Sequence, residues 1–132
     1  MTSMAGNRYR PAAQFRAELR QFLRRSEERS RAHGVTPKQY LLLLQIAGAE
    51  DGQTTVSELV ETLALTQSAV TELVQRAEQA GLVARRSGAS DARVSHLSLT
   101  ELGQSKLDTI HDELGPERRH FRKLIERLLS EN

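Results

Sequence analysis

Residues 56–103 read VSELVETLALTQSAVTELVQRAEQAGLVARRSGASDARVSHLSLTELG, and three periodicities succeed one another within them. Ser57 can cap a short helix with Leu59, Val60 and Leu63 turned inward. Thr66 can cap a second, whose stripe Ala69, Val70, Leu73, Val74 and Ala77 keeps helical spacing until Gly81 ends it. The tight Ala64-Leu65 link between them makes the pair a helix-turn-helix candidate. Next, LVARRS and RVSHLSL are each of strand length and flank the loop GASDA, which reads as a β-hairpin. In the second strand Ser95, Leu97 and Leu99 share one face, and Val94, His96 and Ser98 the other. A helix-turn-helix followed at once by a hairpin is the layout of a winged helix.

Outward from this stretch the chain is helical. Upstream, Pro11 is expected to open a helix with Phe15, Leu19, Phe22 and Leu23 on one face, after a flexible start over residues 1–10. It should stop near His33-Gly34. Thr36 and Pro37 then begin a helix that is apolar nearly all round from Tyr40 to Leu44, which belongs in the middle of the fold. Downstream, Thr100 caps a helix with Leu107, Ile110 and Leu114 on one side, broken at Gly115-Pro116. The last helix carries Phe121, Leu124, Ile125, Leu128 and Leu129. The expected fold class is therefore mainly α with a small β-hairpin wing. Residues 11–132 make a single domain, with a winged helix-turn-helix over 36–99 between flanking dimerisation helices at 11–33 and 100–131.

Composition narrows the function. At 132 residues, 38% hydrophobic and 27% charged, the chain suits one soluble domain, and the lack of cysteine excludes disulfides, thiolate metal sites and thiol redox switching. No apolar run approaches the roughly 20 residues of a membrane span, and MTSMAGNRYRPAAQ lacks the apolar core of a signal peptide, so a cytoplasmic protein is expected. His33, His96, His111 and His120 form no metal-ligand spacing, and no nucleophile elbow or phosphate loop is present. Neither an enzyme, nor a metal site, nor a cofactor is expected. Net charge is only +2, but it is segmental. Residues 1–33 hold eight arginines against Glu18, Glu27 and Glu28, and residues 76–93 hold Arg76, Arg85, Arg86 and Arg93 against Glu78 and Asp91.

The second short helix has suitable groups for a DNA groove. Its outer face carries Gln67, Ser68, Thr71, Gln75 and Arg76, with Glu72 among them, and Thr66 at its start is grouped with them as facing DNA. Gln pairs bidentately with adenine, Ser and Thr bond base edges or phosphates, and Arg pairs with guanine or phosphate. The bland alternative is a solvated face, and the hairpin with Arg85 and Arg86 at its base favours DNA over it. Asp91, two residues before Arg93, can hold that guanidinium by a charge-assisted bond and aim it. Phe15, Leu19 and Phe22 of the first helix, with Phe121, Ile125 and Leu128 of the last, offer apolar edges for a two-fold dimer. Such a dimer sets two recognition helices about 34 Å apart on a pseudo-palindrome. Phe22, His33 and Tyr40 are candidates to line a ligand cleft near the junction of the first two helices, with plain packing as the alternative.

Val56 to Gly103 resembles the MarR family of winged helix transcription regulators. The resemblance rests on GLV followed by Arg at Gly81 to Arg85, on Asp-x-Arg at Asp91 and Arg93, and on Leu-Thr-x-x-Gly at Leu99 to Gly103. FRAELRQFLRRSEERSRAHGVTPKQYLLLLQIAG is similar to the family's first two helices. The resemblance implies a homodimeric repressor on double-stranded operator DNA, released by a small aromatic ligand bound between the dimerisation and DNA-binding regions. It also implies base reading by Gln67, Ser68 and Thr71, a recognition-helix arginine in Arg76, and a wing arginine in Arg93 braced by Asp91. Three features depart from the family pattern: Ala92 replaces a frequent wing arginine, Ala77 and Ala80 stand where bulkier residues are common, and the tail after Gly103 is short. The competing functional reading is a winged helix that binds protein rather than DNA, to which Glu72, Glu78 and the weak net charge point.

Overall fold

The computed structural model describes residues 4–87 and 94–130. In chain order it contains α1 (Met4–Ala32), α2 (Pro37–Gly48), a one-turn 3-10 helix (Glu50–Gly52), α3 (Val56–Leu63), α4 (Gln67–Gln79), β1 (Val83–Ser87), β2 (Ser95–Leu99), α5 (Glu101–Glu113) and α6 (Gly115–Ser130). This is the expected helical fold with one antiparallel hairpin, in which Val83 pairs with Leu99, Arg85 with Leu97 and Ser87 with Ser95.

Most helix ends follow from local chemistry. Thr36 and Gln39 form a reciprocal capping box ahead of α2, each bond 3.1 Å, with Pro37 where a missing N–H costs nothing. Two expectations are corrected. The helix taken to open at Pro11 after a flexible start already runs from Met4, with Pro11 inside it. Proline's fixed φ suits a helix, and near its start one lost backbone bond is outweighed by the good helix formers on either side. The cap of α3 is Thr55 rather than Ser57: the Glu58 N–H donates to Thr55 Oγ1 at 3.2 Å, and Ser57 is already within the first turn.

The core is centred on α2, as its all-round apolarity predicts. Tyr40, Leu42, Leu43 and Ile46 are buried, and the helix packs on α1, α3, α4, α5 and β2. Leu41 is the departure, with about half its surface exposed (48%). Val70, Val74 and Ala77 of α4, Leu59 of α3, Leu97 of β2 and Ile110 of α5 close round α2. β2 is also pinned from its outer side by Thr54, whose backbone exchanges both hydrogen bonds with Leu97 at 3.1 and 2.7 Å.

A compact joint links α4, the hairpin and α5. Gly81 takes φ +77°, a left-handed value favoured for glycine, while the N–H groups of Gly81 and Leu82 close the end of α4 on the carbonyls of Glu78 and Ala77. The Thr100 N–H then donates to the Leu82 carbonyl at 3.1 Å, and the Thr100 hydroxyl donates to the Gly81 carbonyl at 2.5 Å while capping Gly103 N–H. Gly103 passes so close to Leu82 that a Cβ there would overlap the Leu82 carbonyl oxygen. The Leu-Thr-x-x-Gly pattern thus has a steric cause. Gly103→Ala should cost about 1–3 kcal/mol or more by overpacking against backbone, whereas Gly48→Ala, with nothing within 4 Å of the new methyl, should stabilise by about 0.4–1 kcal/mol. Urea unfolding of both variants checks this, and equal stabilities would contradict the joint as described.

Candidate nucleic-acid interface

The turn between α3 and α4 is tight because Ala64 takes a left-handed conformation (φ 54°), which reverses the chain within two residues. Thr66 then starts α4, its Oγ1 accepting from the Ala69 N–H at 3.1 Å, so this side chain is committed to the cap. Burial of Val70, Val74 and Ala77 fixes the roll of α4. The same roll leaves Gln67, Ser68, Gln75 and Arg76 exposed and Thr71 half-buried. Gln67, Ser68, Thr71, Glu72 and Gln75 share one open concavity of about 470 Å³. The expected reading face is therefore a contiguous surface. One detail was not expected: Glu72 Oε1 lies 2.8 Å from Arg76 Nη2, so the arginine carries a carboxylate partner one turn away.

The hairpin register divides the two arginines of β1. Arg85 is opposite Leu97, which is fully buried, and Arg86 is opposite His96 on the other face of the sheet. Arg85 Nη2 meets Glu78 Oε1 at 2.9 Å, bridging β1 to the last turn of α4. Asp91 and Arg93, expected as wing brace and wing arginine, lie outside the described residues, as do Gly88 to Ser90 and Ala92.

The sequence comparisons match the part of the chain that holds the helix-turn-helix and the first strand of the hairpin. Residues 33–94 match the model of the MarR family. Over that stretch, just under half of its length, the chain is similar to the MarR family. A curated relative, the HTH-type transcriptional repressor MdtR of Bacillus subtilis, is 39% identical over 77 residues, covering 58% of this chain and 48% of the relative. The matched stretch thus spans about half the length of that protein. Among solved structures, AbsC from Streptomyces coelicolor, a MarR family transcriptional regulator, superposes with a TM-score of 0.73 at 24% identity over 94% of this chain and 82% of its own. A mutant MarR from E. coli complexed with operator DNA gives 0.71 at 20% identity over 98% of each chain. These structural likenesses extend the MarR fold to α1, α5 and α6, beyond the segment matched by sequence.

The three residues expected to line a ligand cleft occupy three different settings. Phe22 stacks on Phe121 of α6 with ring centroids 5.4 Å apart. His33 Nε2 meets Glu113 Oε2 at 2.6 Å, while its carbonyl accepts from Lys106 Nζ at 2.8 Å. Tyr40 is buried in the core. Each thus has a packing or hydrogen-bonding role of its own, and helical position alone did not reveal those partners. A cleft of about 740 Å³ lies where Arg31 of α1 and Pro37 and Leu41 of α2 face Ala69, Leu73 and Arg76 of α4. Among the described residues no cluster of three or more metal-ligating side chains occurs, and no helix is long and apolar enough to cross a membrane.

Burial raises the Tyr40 pKa above the usual 10.0, against a smaller opposing pull from the Arg118 charge. The folded state therefore holds the phenolic proton more tightly than the unfolded one. Its contribution is complete below about pH 10 and is lost as pH rises through the folded value. Urea unfolding at pH 8 and pH 11 should show wild type losing stability relative to Tyr40→Phe at the higher pH. An unchanged difference would place Tyr40 in water.

Proposed function

We propose that this protein is a sequence-specific double-stranded DNA-binding regulator of transcription, a homodimeric repressor whose hold on DNA is released by a small aromatic ligand. The observation that carries the reading is the polar face of α4, standing clear of the core with a hairpin fixed beside its C-terminal end. Gln67, Ser68, Thr71 and Gln75 read base edges in the major groove, while Arg76 reads guanine or phosphate. Arg86 and Arg93 contact the backbone, and Asp91 aims Arg93. The repressor name of the curated relative and the operator DNA bound by the E. coli neighbour support this assignment. Exposed Phe15, Leu23 and Leu129 on α1 and α6 support self-association through those helices. The protein acts in the cytoplasm on a pseudo-palindromic operator.

The test is enrichment of duplexes from a random-sequence pool, followed by titration of the selected duplex at two salt concentrations. Selective binding with a steep loss of affinity in salt is expected, since phosphate contacts release counterions. Arg93→Ala should flatten the slope of log K against log salt by about 0.9 and weaken all sequences alike. Gln67→Ala and Thr71→Ala should change which sequence is preferred. Equally weak binding to every duplex would contradict the proposal and favour a protein partner.

A further inference from the structure

The pairing of Arg85 with Glu78 changes what Arg85 can do. Sequence reading places Arg85 among the DNA contacts because it is basic and at the hairpin base. In the fold it lies on the same face of the hairpin as Leu97, which is fully buried. There it reaches back to α4, and Glu78 Oε1 accepts its hydrogen bond at 2.9 Å, with the two side chains only 37% and 30% exposed. Glu78 also lies in the last turn of α4, where the helix dipole disfavours a carboxylate unless a cation answers it. Each charge offsets the unfavourable setting of the other. The Glu72–Arg76 pair differs: it lies within one helix and is about two-thirds exposed.

We propose that Glu78 and Arg85 are a positioning pair that sets the pitch of the wing against the recognition helix, so that Arg85 acts through the hairpin and not on the nucleic acid. This rests on the DNA-binding reading above. The position of the pair suits the role. The backbone joint at Gly81 and Leu82 fixes the base of the hairpin, and Thr54 pins Leu97 directly across from Arg85. A bridge from Arg85 to α4 therefore acts where the sheet is already held in register, and tilts the wing as a body. The residues of α4 that read bases and Arg86 of β1 are then presented at one fixed spacing.

The test uses full-length protein and the duplex that wild type enriches from a random pool. Glu78→Gln should lower affinity about three- to thirtyfold, with the melting midpoint nearly unchanged because a partly exposed pair adds little stability. Arg85→Gln should weaken binding to a similar extent while leaving the salt slope at the wild-type value. The double variant Glu78→Arg with Arg85→Glu should recover affinity to near wild type. If Arg85 instead touched phosphate, Glu78→Gln would tighten binding, Arg85→Gln would flatten the slope by about 0.9, and the charge-swapped protein would bind worst. Any of these results overturns the positioning role. Failure of wild type to enrich any duplex overturns the DNA-binding reading and the role with it, whereas enrichment unaffected by Glu78→Gln overturns the role alone.

Discussion

The Leu82 carbonyl oxygen, lodged against the bare Cα of Gly103 and bonded to the Thr100 N–H, is the contact on which the functional architecture depends. It joins three elements: the end of α4, the start of β1 and the start of α5. A side chain at position 103 would force these backbones apart, and no rotamer change could relieve it because the opposing atom is a main-chain carbonyl. Gly81, the left-handed residue one step earlier, supplies the sharp change of direction that brings Leu82 there. Two glycines and one threonine thus fix where the helix meets the base of the hairpin.

From that joint the arrangement of the polar face follows. α4 cannot roll, because Val70, Val74 and Ala77 are fully buried against the core that surrounds α2. The hairpin cannot slide, because Leu97 is held by Arg85 on one side and Thr54 on the other. Rigid presentation matters for a groove-reading surface, since side chains ordered in advance lose less entropy on contact. Two of the cations near this surface are also partnered: Arg76 by Glu72 and Arg85 by Glu78. A basic count over residues 76–93 therefore overstates the positive charge available to phosphate.

Much of this was legible in the sequence, for identifiable reasons. Helix stripes such as Val70, Val74 and Ala77 report a single dominant interaction, burial of one face, and periodicity captures it. Caps at Thr36, Thr66 and Thr100 are local hydrogen bonds within three residues. The misses have non-local or competing causes. Thr54 joining the edge of β2 is one residue pairing with a partner far along the chain, too short to leave a pattern. Pro11 signals both a helix start and a tolerated interior break, and the choice between them depends on residues on both sides. Thr55 and Ser57 are both cap-forming types, and the path of the chain out of Thr54 chooses between them. The partners of Phe22, His33 and Arg85 lie on elements whose approach is set by tertiary packing.

The central claim is that α4 and the hairpin base form one body through the Leu82–Thr100 joint. Native-state amide hydrogen exchange tests it most directly, by comparing the Leu82 and Thr100 amides with those of Leu43 and Ile46 in α2. The account predicts that all four exchange only through global unfolding, with a common opening free energy and a common denaturant dependence. Exchange of Leu82 and Thr100 at a distinctly lower free energy, independent of denaturant, would mean that helix and hairpin hinge apart in the native state, and would contradict it.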